Sequence, residues 1–326
     1  MRSARRKTIV ALAVLALAAP TLAQPAQKTS PPNPPAAPNT AANADNNIDI
    51  AYGAFQRGQY LTALTEATKR AQQNDSTAMT LLGEIYAQGL GVGRDDSKAA
   101  QWYKLAAAHG SRDAMFALAM FNLEGRAGPR NPEDAARMLT AAAKLGHAAA
   151  AYDLGLLYLQ GQQFPQDFAR AAELFRQAAD AGNSEAQYAL ATMYKEGRGV
   201  PKDMREAVRL MGVASVAGNM DAMVEFGIAQ FNGEGTDKNE ADAAKVFLIA
   251  ARRGSPIAQN RLARILMAGR GMPADPTEAA KWHLISKAGG DGDPELDAFV
   301  GKQTQAVRDA AEAAAKKWLA TASPRS

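Results

Sequence analysis

Residues Ala186–Asn219 read AQYALATMYKEGRGVPKDMREAVRLMGVASVAGN. At the centre, EGRGVPKD sets Arg198 between Gly197 and Gly199, with Pro201 close behind. A glycine-rich loop carrying a basic side chain is one way to hold a phosphate. Such a cradle needs a strand before it and a helix N-terminus aimed at the ligand. No strand is readable here. Ala186, Leu190, Met193 and Tyr194 follow a helical period instead. Gly197 can end that helix in the left-handed conformation. Pro201 stiffens the turn, and Asp203 has the side chain of an N-cap for a second helix. The loop reads as a joint between two helices.

The same joint recurs along the chain. Ala78, Ala114, Ala150, Ala186, Ala222 and Ala258 stand 36 residues apart. Each is followed at fixed distances by a glycine (Gly89, Gly125, Gly161, Gly197, Gly233, Gly269), an alanine (Ala99, Ala135, Ala171, Ala207, Ala243, Ala279) and a second glycine (Gly110, Gly146, Gly182, Gly218, Gly254, Gly290). Six copies without an insertion define a helix-hairpin repeat. Asp95, Asn131, Asp167, Asp203, Asn239 and Asp275 are the expected N-caps of the second helices. Pro132 and Pro276 suit the first helical position. Asp134, Glu206, Asp242 and Glu278 stand where a capping-box acid would reach back to the cap amide. Ser111, Asn183, Asn219 and Ser255 are expected to cap the following first helices. The repeating alanines let paired helices approach closely, while Leu190, Leu210 and Met211 fill the space between pairs. One hairpin cannot bury its apolar face alone, so the repeats must stack.

The ends depart from the pattern. Residues 48–74 read as a capping hairpin, with Gly58 and Tyr60 at tetratricopeptide-like places. Residues 291–320 read as C-terminal capping helices, a short one then a longer one, with Trp318 on the last hairpin, and 321–326 as a tail. The run DGDPELD (Asp291–Asp297) alternates acids like a calcium loop but lacks that loop's glycine and closing glutamate, and reads as the start of the cap.

The elements in Ala186–Asn219 closely resemble the Sel1-like repeat, a relative of the tetratricopeptide repeat. The matching features are the leucine and tyrosine of the first helix, the GRGV loop, the acidic cap, the second-helix alanine and the closing glycine. The resemblance extends over six repeats, 75–290. The third repeat departs from it with GQQFPQD, and Asn122 and Gln230 replace the first-helix tyrosine. The resemblance implies an all-α, right-handed α-solenoid with first helices lining its concave side, and another protein as partner. By analogy with tetratricopeptide hairpins, the groove would present Glu84, Phe116, Met120, Tyr152, Leu156, Tyr188, Lys195, Phe231, Asn260 and Arg264 to a partner segment. Aromatic anchors would supply most of the binding energy. The competing reading is that these aromatics only pack against neighbouring repeats.

The N-terminus adds a compartment. Arg2, Arg5, Arg6 and Lys7 precede an 11-residue apolar run, Ile9–Ala19, and small residues end at Ala23. That is the pattern of a signal peptide over residues 1–23. The run is too short for a bilayer span, which takes about 20 residues, so no integral span is expected after cleavage. Residues 24–47, rich in proline, alanine and asparagine, read as a disordered linker. Without the four basic residues of the signal, 33 of the 37 Lys and Arg remain against 33 Asp and Glu. The apparent basicity thus belongs to the export signal, and a nucleic-acid partner loses its electrostatic support.

The chain has no cysteine, which excludes disulfides, thiolate metal sites, cysteine nucleophiles and a lipoprotein anchor. His109, His147 and His283 fall at unrelated repeat positions. No HExxH, GxSxG or SxxK pattern occurs, so no catalytic residue, metal or cofactor is expected. The expected role is a periplasmic or secreted scaffold. Some periplasmic members of the resembled family restrain a membrane sensor kinase that controls exopolysaccharide synthesis, and this chain shares their general layout of export signal and repeats. The resemblance therefore implies a sensor-kinase periplasmic domain or another envelope protein as partner. Some cysteine-rich members have been described as binding β-lactams, so the alternative is a cell-wall-associated enzyme or hydrolase accessory.

Overall fold

The computed structural model describes residues 49–161 and 164–322. The expected signal peptide and linker lie outside the described residues. Among the described residues there are sixteen helices and no strand. A short hairpin, α1 (Ile50–Gln56) and α2 (Tyr60–Ala71), precedes six pairs. These are α3 (Ser76–Gln88) with α4 (Asp96–Ala108), α5 (Arg112–Glu124) with α6 (Pro132–Lys144), and α7 (Ala148–Gln160) with α8 (Phe168–Asp180). Then follow α9 (Ser184–Glu196) with α10 (Met204–Val216), α11 (Met220–Asn232) with α12 (Glu240–Arg252), and α13 (Pro256–Ala268) with α14 (Pro276–Ala288). Two capping helices close the stack, α15 (Pro294–Gly301) and α16 (Gln305–Ala322). From α1 to α14 each helix packs on the one before it and the one after it, as an all-α solenoid requires, and α16 returns to pack on α14. Helix α16 continues two residues past the expected start of the tail.

The six second-helix caps fall where the sequence places them. Asp203, for example, accepts from the Arg205 and Glu206 N–H groups at 3.0 Å each. The capping box does not form, which corrects the expectation for Asp134, Glu206, Asp242 and Glu278. The cap residue's own N–H is taken elsewhere. Asp95, Asn131, Asp167, Asp203, Asn239 and Asp275 donate it to the carbonyls of Tyr86, Asn122, Tyr158, Tyr194, Gln230 and Leu266, at 2.8 to 3.1 Å. This bond ties the start of the second helix to the end of the first and satisfies a carbonyl left over by the helix terminus. The acids turn to neighbouring groups instead. Glu206 binds Arg209 at 2.7 Å, Asp242 binds Asn239 and Lys245, and Glu278 binds Lys281 and the Trp282 indole. Because the loop closes through a backbone carbonyl, Asn122 and Gln230 replace the tyrosine without opening it.

The two glycines of EGRGVPKD have separate tasks. Gly197 sits at φ +73° and caps α9 by donating to the Met193 carbonyl. Gly199, at φ +72°, lies so close to the first residue of α8 that a Cβ would stand 2.1 Å from the Phe168 carbonyl oxygen. The loop is therefore a contact between repeats as well as a joint. Arg198 lays its guanidinium over the Phe168 ring at 4.4 Å. Arg126 likewise binds Asp96 of the preceding pair, and Arg270 binds Glu240.

Within a pair, closeness is set by small residues on the first helix. Gly83 faces the Tyr103 ring, Gly155 the Phe175 ring and Gly227 the Phe247 ring. In the alternate repeats an alanine stands there, and the second helix carries Leu139, Met211 or His283. The repeating alanines and Leu190, Leu210 and Met211 are buried. The N-terminal hairpin is tied down by Arg70, which binds both Asp49, the cap of α1, and Asp75, the cap of α3. At the other end Trp318 meets Trp282 edge-on, with ring centroids 6.0 Å apart. Asp293, in the run that alternates acids, caps α15 by accepting from Glu295 and Leu296.

Candidate partner-binding face

The first helices carry one residue of each candidate set at the same turn in every repeat, so equivalent side chains line up along the stack. The second position after the repeating alanine is a seam between repeats. Thr80 bonds Ser111, the cap of α5, at 2.9 Å. Phe116 stacks on His147, the cap of α7, with centroids 4.5 Å apart. His147 takes the place of the aspartate, serine or asparagine found elsewhere, and its Nδ1 accepts from the Ala150 N–H. Tyr152 packs on Phe175 with centroids 5.6 Å apart. Phe116, Met120, Tyr152, Leu156 and Tyr188 are all half-buried against the central core. They keep an exposed edge while serving as packing residues.

The ends of the series differ. Glu84 is half-buried and accepts from Gln88, and burial raises its carboxyl above the usual range. Asn260 is buried and donates to Asp293 at 3.1 Å. Arg264 donates its Nε to Asp293 and a terminal nitrogen to Glu295, at 2.7 Å each. Although burial opposes it, Arg264 with Asn260 holds the Asp293 carboxyl below its ordinary value. These two candidates hold the C-terminal cap in place. Lys195 pairs with Glu225 of the next first helix at 2.6 Å.

The structure brings Phe231 and Arg264 together in one cleft. It has a volume of about 360 Å³ between α11 and α13 and is lined by Ile228, Phe231, Arg261, Arg264, Met267 and Arg270, among others. Arg270 lies over the Phe231 ring at 4.5 Å and binds Glu240.

One set of first-helix positions is absent from the candidate residues: Leu81, Ala117, Asp153, Ala189, Glu225 and Arg261, three after the repeating alanine. Asp153 stands out among them. Its carboxylate is half-buried and has no hydrogen bond or ion pair among the described residues. Burial alone raises its pKa to about 6. Burial, with the charges of Glu185 and Asp153, also raises the Tyr152 phenol. The Tyr188 phenol is pushed up to about 12, chiefly by burial and then by Glu225 and Asp221. The signal that marks Asp153 in the sequence is a charge at a position that is apolar in the repeats on either side.

Charge divides between the two sets of helices. Helices α3, α5, α7, α9 and α11 together hold eight acids and two bases, whereas the second helices from α4 to α14 together hold nine acids and twelve bases, and α13 holds two bases and no acid. Asp113, Glu185 and Asp221 lie in first turns, where the helix dipole accounts for them. Glu84, Asp153 and Glu225 lie further along and lack that explanation. Among the described residues no group of three or more His, Asp or Glu side chains is placed to hold a metal ion. No described helix is long and apolar enough to cross a membrane.

A family model described as Sel1 repeat matches residues 76–111, 112–147, 148–183, 184–218, 221–255 and 256–291. Among solved structures, a Sel1 repeat protein from Oxalobacter formigenes is similar with 26% identity and a TM-score of 0.62, covering 74% of this chain and 97% of that one. The protective antigen c5321 of uropathogenic Escherichia coli, described as displaying an SLR fold, is 23% identical with a TM-score of 0.52. That match covers 85% of this chain and 71% of the antigen, and speaks for the fold alone. No curated protein sequence matches the chain at a significant level.

Proposed function

Because the chain belongs to the Sel1 repeat family, whose members act as protein–protein interaction scaffolds, we propose that it is an exported, non-catalytic scaffold holding a partner segment along its first helices. The observation that carries this reading is the row of half-buried side chains on successive first helices: Phe116, Met120, Tyr152, Leu156 and Tyr188. Such side chains are already ordered by their packing, so a partner that covers their exposed edges adds apolar burial with little further loss of side-chain entropy. Aromatic anchors of this kind dominate binding energies. The cleft at Phe231 and Met267 extends the row toward the C-terminal cap.

The basic and apolar N-terminal segment supports a periplasmic or secreted location. There the scaffold would meet the periplasmic domain of a membrane sensor or another envelope protein, and exopolysaccharide synthesis is one process such a contact would regulate. A photocrosslinking residue at Tyr188, introduced in cells that export the protein, tests the reading. The expected product is a discrete crosslinked partner, absent when the same residue replaces Glu173 on a second helix. Equal crosslinking from both positions would remove the first-helix face as the docking surface.

A further inference from the structure

Residues 30 apart on successive first helices face each other in this stack. Lys195 and Glu225 are bonded at 2.6 Å, and Phe231 and Arg261 line one cleft. The same relation two repeats earlier sets Leu123 opposite Asp153. Glu225 therefore has an internal cation, whereas Asp153 faces an apolar side chain. A half-buried carboxylate without a counter-charge is unfavourable in the free protein. Beside it lies Tyr152, on a row of first helices, α3 to α11, whose charge is predominantly acidic. A cation brought from outside would complete at Asp153 the pair that Lys195 completes at Glu225.

We propose that the partner segment is basic, and that one of its lysine or arginine side chains binds the Asp153 carboxylate beside Tyr152 and Leu123. This rests on the docking role proposed above and adds the chemistry of the occupant. The Tyr152 ring favours the same cation through its face, and the half-buried setting strengthens the charge-assisted bond. The second helices are close to neutral, so the acid excess of the stack lies on the first helices α3 to α11, which are the better electrostatic match for such a segment.

The test uses a short fluorescent peptide of alternating lysine and leucine and its glutamate–leucine counterpart, titrated against the purified protein by anisotropy. The lysine peptide is expected to bind, more weakly as salt rises, and the glutamate peptide to show no binding. Asp153→Asn removes the anchor charge, and Leu123→Lys supplies the missing cation from within. Each is expected to weaken the lysine peptide about tenfold, and Asp153→Asn to do so with a melting temperature equal to or above that of the parent, so its lost binding cannot be lost folding. No binding of the lysine peptide, a preference for the glutamate peptide, or unchanged affinity in both variants overturns the assignment. A crosslinked partner segment at Tyr188 that proves acidic would discard the basic occupant and keep the docking role. Absence of any crosslink there would discard both.

Discussion

At the scale of single residues, Asp153 is the group whose placement opposes stability. Its carboxyl titrates near 6 in the folded chain, against 3.8 for an unperturbed aspartate. Between those values the folded chain holds a proton that the unfolded chain has released. Stability from this group therefore falls as pH rises through that window, and the full penalty stands at neutral pH. It amounts to on the order of 1–3 kcal/mol. Asp153→Asn is expected to raise the melting temperature at pH 7 and to lose that advantage as pH approaches 4. Thermal denaturation of parent and variant at the two pH values checks this, and an equal melting temperature at pH 7 would show the carboxylate to be better solvated than its burial indicates. A stability defect kept at the centre of a candidate docking surface is what a binding role asks for. The sequence reading named Tyr152 and passed over its neighbour. The tetratricopeptide analogy supplies positions two, six and nine after the repeating alanine, and Asp153, three after it, is not among them. The bond made by Asn260 is hidden from the sequence for a related reason. Its repeat position is shared with Tyr152 and Tyr188, but the acid that engages it, Asp293, belongs to a cap that periodicity does not describe.

At the scale of helices and loops, the 36-residue period fixes where every helix of the six pairs begins and ends. Residue type chooses the cap, and glycine is the residue that tolerates the left-handed terminus. The hydrogen-bond partners were less legible. An acid three residues after a cap looks the same whether or not the cap amide is free, and here the loop geometry had already engaged that amide. Helix spacing within a pair follows a second rule, a glycine against an aromatic ring in one repeat and an alanine against Leu139, Met211 or His283 in the next. Gly155→Ala tests it. Alanine is the better helix former by about 1 kcal/mol, but its Cβ would stand 2.7 Å from the Phe175 ring, which is fully buried and has nowhere to move. Overpacking of this kind costs about 1–3 kcal/mol, so net destabilisation is expected. In Gly155→Ala/Phe175→Leu the pair becomes that of Ala119 and Leu139, and most of the loss should return. Denaturant titration of the two single variants and the double variant measures the coupling. Additive effects would show that the two positions do not set the spacing together.

At the scale of the whole stack, each repeat touches only its neighbours, so stability is a sum over repeats and interfaces rather than one all-or-none quantity. The C-terminal cap is where this has the clearest consequence. Asp293 accepts from Asn260 and Arg264 of the last repeat while capping α15 through the Glu295 and Leu296 N–H groups. One carboxylate thus joins the last pair to the helices that cover it. Loss of the N-cap costs about 1 kcal/mol, and leaving the buried Asn260 amide unpaired adds about 1–3 kcal/mol. Arg264 is partly exposed and can turn to water or to Glu295. Asp293→Ala should therefore loosen α15 and α16 by roughly 2–4 kcal/mol and expose the core formed by Leu296, Trp282 and Trp318. Hydrogen exchange is expected to show lost protection in α15 and α16, a smaller loss in α13 and α14, and none in α3 to α6, because the effect must pass through each interface in turn. Near-ultraviolet signal from Trp282 and Trp318 should melt before the bulk helicity. Uniform loss of protection along the chain would instead mean that the interfaces are strong enough to make the stack a single cooperative unit, and the additive picture of its stability would have to be given up.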